Sequence, residues 1–383
     1  MNILYDLITP QSFVGGAGEY VRKIFYTLLD AIKVSGENVN IFGVYNSNKN
    51  KFAYFDLTPD AISKMGVFPV DIANTNLKDV IASHNIDKVF IGCAQYWNYL
   101  DVENLHIPTI CVIHDLDIEE YDLNKIDDYV RLENFKKYIR YRFNVYRKGK
   151  RDLINNKNIR KMLFDNPNAQ LVTVSDYSKY SIMYNYGIAE NRIRVLYSPE
   201  RVTNRDSTIE NAELKSIIES GKKYYLMVGA NRVYKNPTKA LNAFRKFADI
   251  HKERYFITIG ANRQQFQNHI ILPYLSESDL SNVMSHCYAF VFPTYFEGFG
   301  YPPVEAMSYD KPILCSNVTS VPEICGDAAI YFSPYYETDI FRALLALDEN
   351  NYNEYVSKSK VRYKQVSERQ QKDLDTLINM ILS

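Results

Sequence analysis

The sequence is poor in the features that mark export, membrane insertion, metal capture or wholesale binding to polyanions. No apolar run in the 383 residues nears the roughly 18 needed to span a bilayer. The opening Met1-Asn2-Ile3-Leu4-Tyr5-Asp6-Leu7 has no basic stretch and meets an acid at Asp6, so it reads as a first strand and not a leader. Net charge is absent too, with 45 basic against 45 acidic side chains, which argues against a globally basic nucleic-acid binder. Cysteines are few and odd in number: Cys93, Cys111, Cys287, Cys315 and Cys325 lack CxxC spacing and mostly sit in apolar runs, so they are expected to be reduced core thiols without disulfide or metal roles. These absences point to a cytoplasmic protein, soluble or peripheral at the inner face of a membrane.

What is present is a rhythm. Short apolar, β-rich runs (Ile3 to Leu7, Val39 to Val44, Lys88 to Gly92, Thr109 to Ile113, Gln170 to Val174) alternate with helical patterns, which predicts βαβ units and a parallel sheet. The rhythm then restarts at Tyr224 to Val228 and continues through Tyr255 to Ile259, Ile270 to Leu272, Ala289 to Phe292, Ile313 to Cys315 and Ala329 to Phe332, with helices such as Thr238 to Lys252 and Asp279 to Cys287 between. The fold class is therefore α/β with two doubly wound, Rossmann-like domains. The chain divides as 1–198, 199–365 and a carboxyl-terminal helical stretch 366–383. Apolar positions are thinly spread from Asn351 onward, which predicts surface helices.

One segment departs from overall neutrality. Residues 134–161 hold eleven basic side chains against the single acid Asp152, interleaved with Phe135, Tyr138, Tyr141, Phe143 and Tyr146, while Asp115 to Asp128 just upstream carries seven acids. Either the two stretches neutralise each other, or the basic one contacts an anionic membrane surface or a phosphate-bearing acceptor.

The densest chemistry lies in the string from Phe292 to Met307, FPTYFEGFGYPPVEAM. A buried strand ends at Phe292, a turn with Gly298 and Gly300 follows, and Pro302-Pro303 opens a helix whose first N–H groups have no partner to lose. Backbone amides there can approach a phosphate. Glu297 on the turn and Glu305, expected in the first helical turn, would repel phosphates but suit the hydroxyls of a sugar and a ribose. Together the features suggest a nucleotide sugar.

This string resembles the E-x7-E signature of the retaining family 4 glycosyltransferases, whose GT-B architecture sets two Rossmann-like domains facing across a cleft, with terminal helices crossing back to the first. Further matches follow the family's order: Gly15-Gly16, Val112-Ile113-His114-Asp115, Thr173-Val174-Ser175, Val228-Gly229 with Lys235-Asn236, Leu272-Pro273-Tyr274-Leu275 and Val321-Pro322-Glu323. The resemblance implies that Glu305 holds the ribose, that Glu297 contacts donor-sugar hydroxyls, and that amides around Gly298, Phe299, Gly300 and Val304 meet the sugar and phosphates. It further implies that Lys235, with Arg232 as the nearest guanidinium, neutralises the departing diphosphate, and that His114 touches the donor sugar. Gly15, Gly16 and Tyr274 complete the implied binding set.

The implied activity is transfer of a sugar from a nucleotide diphosphate donor to a glycan, lipid-linked or protein acceptor, as in polysaccharide biosynthesis. No cofactor or metal is expected. Asp115-Leu116-Asp117 has the D-x-D form of metal-dependent transferases, but Asp373-Leu374-Asp375 repeats that form in a presumed helix, and Gly15-Gly16-Ala17-Gly18 fails the dinucleotide pattern because Val21 stands where the third glycine belongs. Two rivals remain open: an epimerase or phosphorylase of the same architecture, and a nonenzymatic protein that uses the basic segment to bind membrane or nucleic acid.

Overall fold

A computed structural model describes residues 1–12, 15–49, 52–97, 106–116, 166, 168–201, 208–261 and 266–383. The basic stretch 134–161, most of the acidic stretch before it and Asp117 lie outside the described residues. The chain divides into two units, Met1–Arg201 with Gln370–Ser383, and Val202–Arg369.

The first unit holds seven strands: β1 (Asn2–Asp6), β2 (Asn40–Tyr45), β3 (Phe68–Asp71), β4 (Lys88–Ile91), β5 (Thr109–Ile113), β6 (Ala169–Thr173) and β7 (Ile193–Val195). They run in the order β3-β2-β1-β4-β5-β6-β7, every pairing parallel. Strand β3 was not anticipated. It carries Pro69 and buries only Val70 of its four residues, the behaviour of an edge strand, where a missing N–H costs no ladder bond. The helix Gly16–Ser35 covers the sheet with a stripe of Tyr20, Val21, Ile24, Phe25 and Leu28 and stops at Gly36, whose positive φ of 66° suits a residue without a Cβ.

The second unit repeats the plan with β8 (Lys223–Met227), β9 (Arg254–Ile259), β10 (His269–Leu272), β11 (Ala289–Phe292), β12 (Ile313–Ser316) and β13 (Ala329–Phe332), ordered β10-β9-β8-β11-β12-β13 and again wholly parallel. Parallel strands are covered on both faces, hence their near-continuous apolar character. The helix Pro237–Ile250 begins at proline and buries Ala240, Leu241, Ala243, Phe244 and Phe247. Phe244 stacks on Phe256 of β9 at 4.8 Å between ring centroids. A buried aromatic of this kind contributes about 2 kcal/mol through area removed from water. The expected fold class, two Rossmann-like doubly wound units, is the one observed.

The tail is one helix where several surface helices were expected, and its end returns to the first unit as the resemblance implied. Residues Tyr352–Leu382 form one helix of 31 residues, and Val366, Leu374, Leu377, Ile378 and Ile381 are buried. Its end is bound into the first unit: Gln370 Nε2 donates to the Ser198 carbonyl at 2.6 Å, Asp373 Oδ2 accepts from the Tyr197 amide at 2.8 Å, and Lys88 Nζ donates to the Met380 carbonyl at 2.9 Å. All five cysteines are free and buried. Among the described residues no helix is long and apolar enough to cross a membrane.

His269, on β10, is buried and shares a 2.8 Å hydrogen bond with Thr258 Oγ1 of β9. Burial pushes its pKa down to about 4. The unfolded chain, with histidine near 6.5, therefore binds a proton that the folded one refuses, so stability present above pH 6.5 is lost as pH falls toward 4. Replacing His269 with Gln is expected to flatten this slope by up to about 1.4 kcal/mol per pH unit across that window, read from urea midpoints between pH 7 and 4.

Candidate functional site

In an open parallel sheet the ligand crevice lies beyond the carboxyl ends of the strands, where the strand order reverses. In the second unit that point falls between β8 and β11. The loop after β8 runs from Val228 to Asn236, and the loop after β11 runs from Pro293 to Gly300. They are stitched together: the Tyr295 amide donates to the Tyr234 carbonyl at 2.8 Å, and Thr294 Oγ1 donates to the same carbonyl at 3.3 Å. Asn236 ties in a third loop. Its Nδ2 donates to the carbonyls of Pro293 and Pro334 at 3.1 and 2.9 Å, while its Oδ1 accepts from the Tyr295 hydroxyl at 2.9 Å. With φ at 58°, Asn236 also makes the left-handed turn into the helix Pro237–Ile250, a conformation asparagine tolerates better than most residues.

Inside this stitching sits an ion pair. Lys235 Nζ is bonded to Glu297 Oε1, and the two side chains are only 8% and 14% exposed. The ammonium also lies 4.5 Å from the Phe292 ring centroid, and Thr294 Oγ1 stands 3.3 Å from Glu297 Oε1. The main chain of Glu297 is held equally firmly: its amide donates to Thr319 Oγ1 at 3.1 Å, and its carbonyl accepts from Ser320 Oγ at 3.0 Å. Ser320 Oγ is also 3.1 Å from the Phe299 carbonyl, so two successive bends of the glycine turn rest on one hydroxyl. Gly300 then starts the helix Tyr301–Met307 with φ at 100°, where any side chain would be strained.

Of the residues singled out from sequence, Glu297, Lys235, Gly298, Phe299 and Gly300 thus come together at this switch point. Arg232 lies on the same loop, its Nη1 donating to the Tyr234 hydroxyl at 3.1 Å. Tyr274 is largely exposed and accepts from Asn231 Nδ2 at 2.6 Å. Val304 is buried in the helix. Glu305 needs a correction: it is the fifth of the seven residues Tyr301–Met307, so it occupies the second turn and not the first. Sequence reasoning quoted Asn236 and Thr294 inside its motifs but gave them no role, and it missed Thr319 and Ser320, which stand directly before the Val321-Pro322-Glu323 match.

The remaining sequence-chosen residues belong to the first unit. Gly15 and Gly16 open the helix Gly16–Ser35, and the Gly15 amide is 3.4 Å from the Tyr54 hydroxyl. His114 follows β5. Its Nε2 is 2.9 Å from the Gly92 carbonyl, its ring stands edge-on to Tyr20 at 4.6 Å, and burial pushes its pKa down to about 4. Its own carbonyl accepts from Ser178 Oγ at 3.0 Å. Sequence reasoning also missed Asp6, a wholly buried carboxylate at the end of β1.

Residues 209–365 match the family model described as Glycosyl transferases group 1, which upholds the family resemblance for the second unit. The chain is 26% identical over 207 residues to the O-antigen chain mannosyltransferase RfbU of Salmonella typhimurium, covering 49% of this chain and 55% of that protein. It is 27% identical over 186 residues to O-antigen chain mannosyltransferase B of Escherichia coli, covering 43% and 47%. The chain thus spans about half the length of these relatives. Among solved structures, HepE of Anabaena in complex with UDP superposes with a TM-score of 0.64 at 12% identity, over 98% of this chain and 99% of that one, so the two share a fold.

The ion pair makes a prediction independent of any ligand. Removing one partner of a buried pair leaves the other charge uncompensated, at a cost of about 3–5 kcal/mol. Lys235→Met is expected to lose stability on that scale, and adding Glu297→Gln to recover part of the loss, in a double-mutant cycle of urea unfolding. Strict additivity would show that the pair is not coupled.

Proposed function

We propose, for a chain whose second unit matches the glycosyl transferases group 1 family, that the protein is a retaining glycosyltransferase that moves a mannosyl group from a nucleotide diphosphate sugar to a glycan or lipid-linked acceptor. Residues 199–365 would hold the donor and residues 1–198 the acceptor side. The observation that carries this reading is the buried Lys235–Glu297 pair at the β8/β11 switch point, inside the matched region. The relatives named as mannosyltransferases support the choice of sugar, and the UDP held by a protein of the same fold supports a nucleotide-linked donor.

In this reading the pair is exchanged when donor binds. A diphosphate is a stronger partner for Lys235 than a single carboxylate, so Nζ turns to the phosphate oxygens and Glu297 is released to accept bonds from the sugar's hydroxyls. As the glycosyl–phosphate bond breaks, negative charge grows on the leaving phosphate, and Lys235, Arg232 and the turn amides are already in place to stabilise it. The departing diphosphate takes the acceptor's proton on the same face of the sugar, which retains the anomeric configuration. Glu305 accepts bonds from the ribose.

The test is transfer from guanosine, uridine and adenosine diphosphate sugars to a lipid-linked glycan in EDTA, with the anomeric configuration of the product read by NMR. Inverted product or a strict divalent-metal requirement would overturn the reading. Glu305→Ala is expected to weaken binding of the free nucleoside diphosphate by about 1–3 kcal/mol in calorimetry, because ribose hydroxyls lose their acceptor. Unchanged affinity in a folded variant would remove Glu305 from the site.

A peripheral membrane contact is part of the proposal and rests on residues 134–161, where basic and aromatic side chains interleave. Each basic residue near an anionic surface contributes about 1 kcal/mol. Cosedimentation with anionic but not neutral liposomes is expected, weakened by salt and by replacing Arg147, Lys148, Lys150 and Arg151 with Ser. Equal behaviour on both liposomes would assign the segment to the upstream acids instead.

A further inference from the structure

The first unit has its own switch point, between β1 and β4, and a carboxylate that the proposed reaction does not use is buried there. Asp6 ends β1 with no exposure. Its Oδ1 accepts from the Thr9 amide at 3.0 Å, and its Oδ2 accepts from Thr9 Oγ1 at 2.6 Å and from the Gly92 amide at 3.0 Å. Gly92 follows β4, and its carbonyl faces His114 Nε2 at 2.9 Å. No larger residue fits at Gly92, because a Cβ would stand 2.3 Å from Val21 Cγ2. One glycine is therefore fixed on its amide side by Asp6 and by close packing, and on its carbonyl side it meets the histidine.

A carbonyl oxygen only accepts hydrogen bonds, so His114 must carry its hydrogen on Nε2. The neutral ring that burial favours then has a bare lone pair on Nδ1. We propose that Asp6 is a positioning residue for the transfer reaction: through Gly92 it locks His114 in the Nε2–H tautomer, so that Nδ1 is offered as an acceptor to a hydroxyl of the substrate. This rests on the glycosyl-transfer reading for its link to rate, but the tautomer is a property of the free protein.

Asp6→Asn separates this role from simple packing. Both oxygens of Asp6 receive donors, so the amide nitrogen of Asn must point its hydrogens at one of those donors, and Gly92 loses its anchor. Long-range 1H–15N correlation of histidine-labelled protein reads the tautomer directly. The wild type is expected to show His114 with hydrogen on Nε2 alone, and Asp6→Asn a mixture. The variant's kcat is expected to fall about tenfold or more, with affinity for free nucleoside diphosphate unchanged within about twofold. Tyr5→Phe, which removes the buried 2.7 Å bond from the Tyr5 hydroxyl to the Val21 carbonyl, destabilises the same strand and is expected to leave tautomer and kcat unchanged.

Hydrogen on Nδ1 of wild-type His114 overturns the proposal whether or not any variant folds. So does an Asp6→Asn protein that keeps the wild-type tautomer and turnover, or a Tyr5→Phe protein that loses as much kcat. A wild type that transfers no sugar while showing the expected tautomer overturns the functional reading instead, and leaves the Asp6–Gly92–His114 lock standing.

Discussion

An ammonium shut away from water must meet a carboxylate, and in the second unit that requirement decides how two loops fold. Lys235 comes at the end of the loop after β8 and Glu297 on the turn after β11, and neither could be buried alone at tolerable cost. The surrounding contacts serve the pair: Asn236 fixes the backbone beside the lysine, while Thr319 and Ser320 fix the backbone of the glutamate. The result is a buried ion pair, held by neutral groups, at the point where the sheet order reverses.

The first unit solves the same topological problem with different chemistry. Its buried carboxylate, Asp6, accepts hydrogen bonds from two amides and a hydroxyl, and Lys49 lies near enough to feel its charge. Burial raises its pKa, and the donors from Thr9 and Gly92 act against that rise. One switch point thus buries an ion pair, and the other a carboxylate held by neutral donors.

The sheets were legible because parallel strands covered on both faces are written as apolar runs, and nearly all of them are where that pattern predicts. Strand β3 escaped because Phe68-Pro69-Val70-Asp71 buries a single side chain, too little to leave a pattern. The glycine turn and its glutamates were legible as a string, yet the pairing of Glu297 with Lys235 was not: the partners lie 62 residues apart, and no local rule links them. The roles of Asp6 and of Asn236, the latter quoted only as part of a match, were invisible for a related reason, since they come from strand order, which adjacent residues do not encode. Glu305 was displaced by a turn because helix boundaries depend on the φ of one residue, here Gly300.

The terminal helix sets an order of events during synthesis. Ile381 is wholly buried, and Gln370, Asp373 and Met380 bind backbone or side chains of residues 88–198. Residues 1–201 are translated before the rest of their own unit, so they lack an apolar layer and several hydrogen bonds until residues 370–383 emerge from the ribosome. Val202–Arg369 ends before that segment begins. The half made earlier is therefore the half completed later, and for the whole interval it exposes the apolar surface that Leu377, Ile378 and Ile381 will cover, which is when a chaperone would find it.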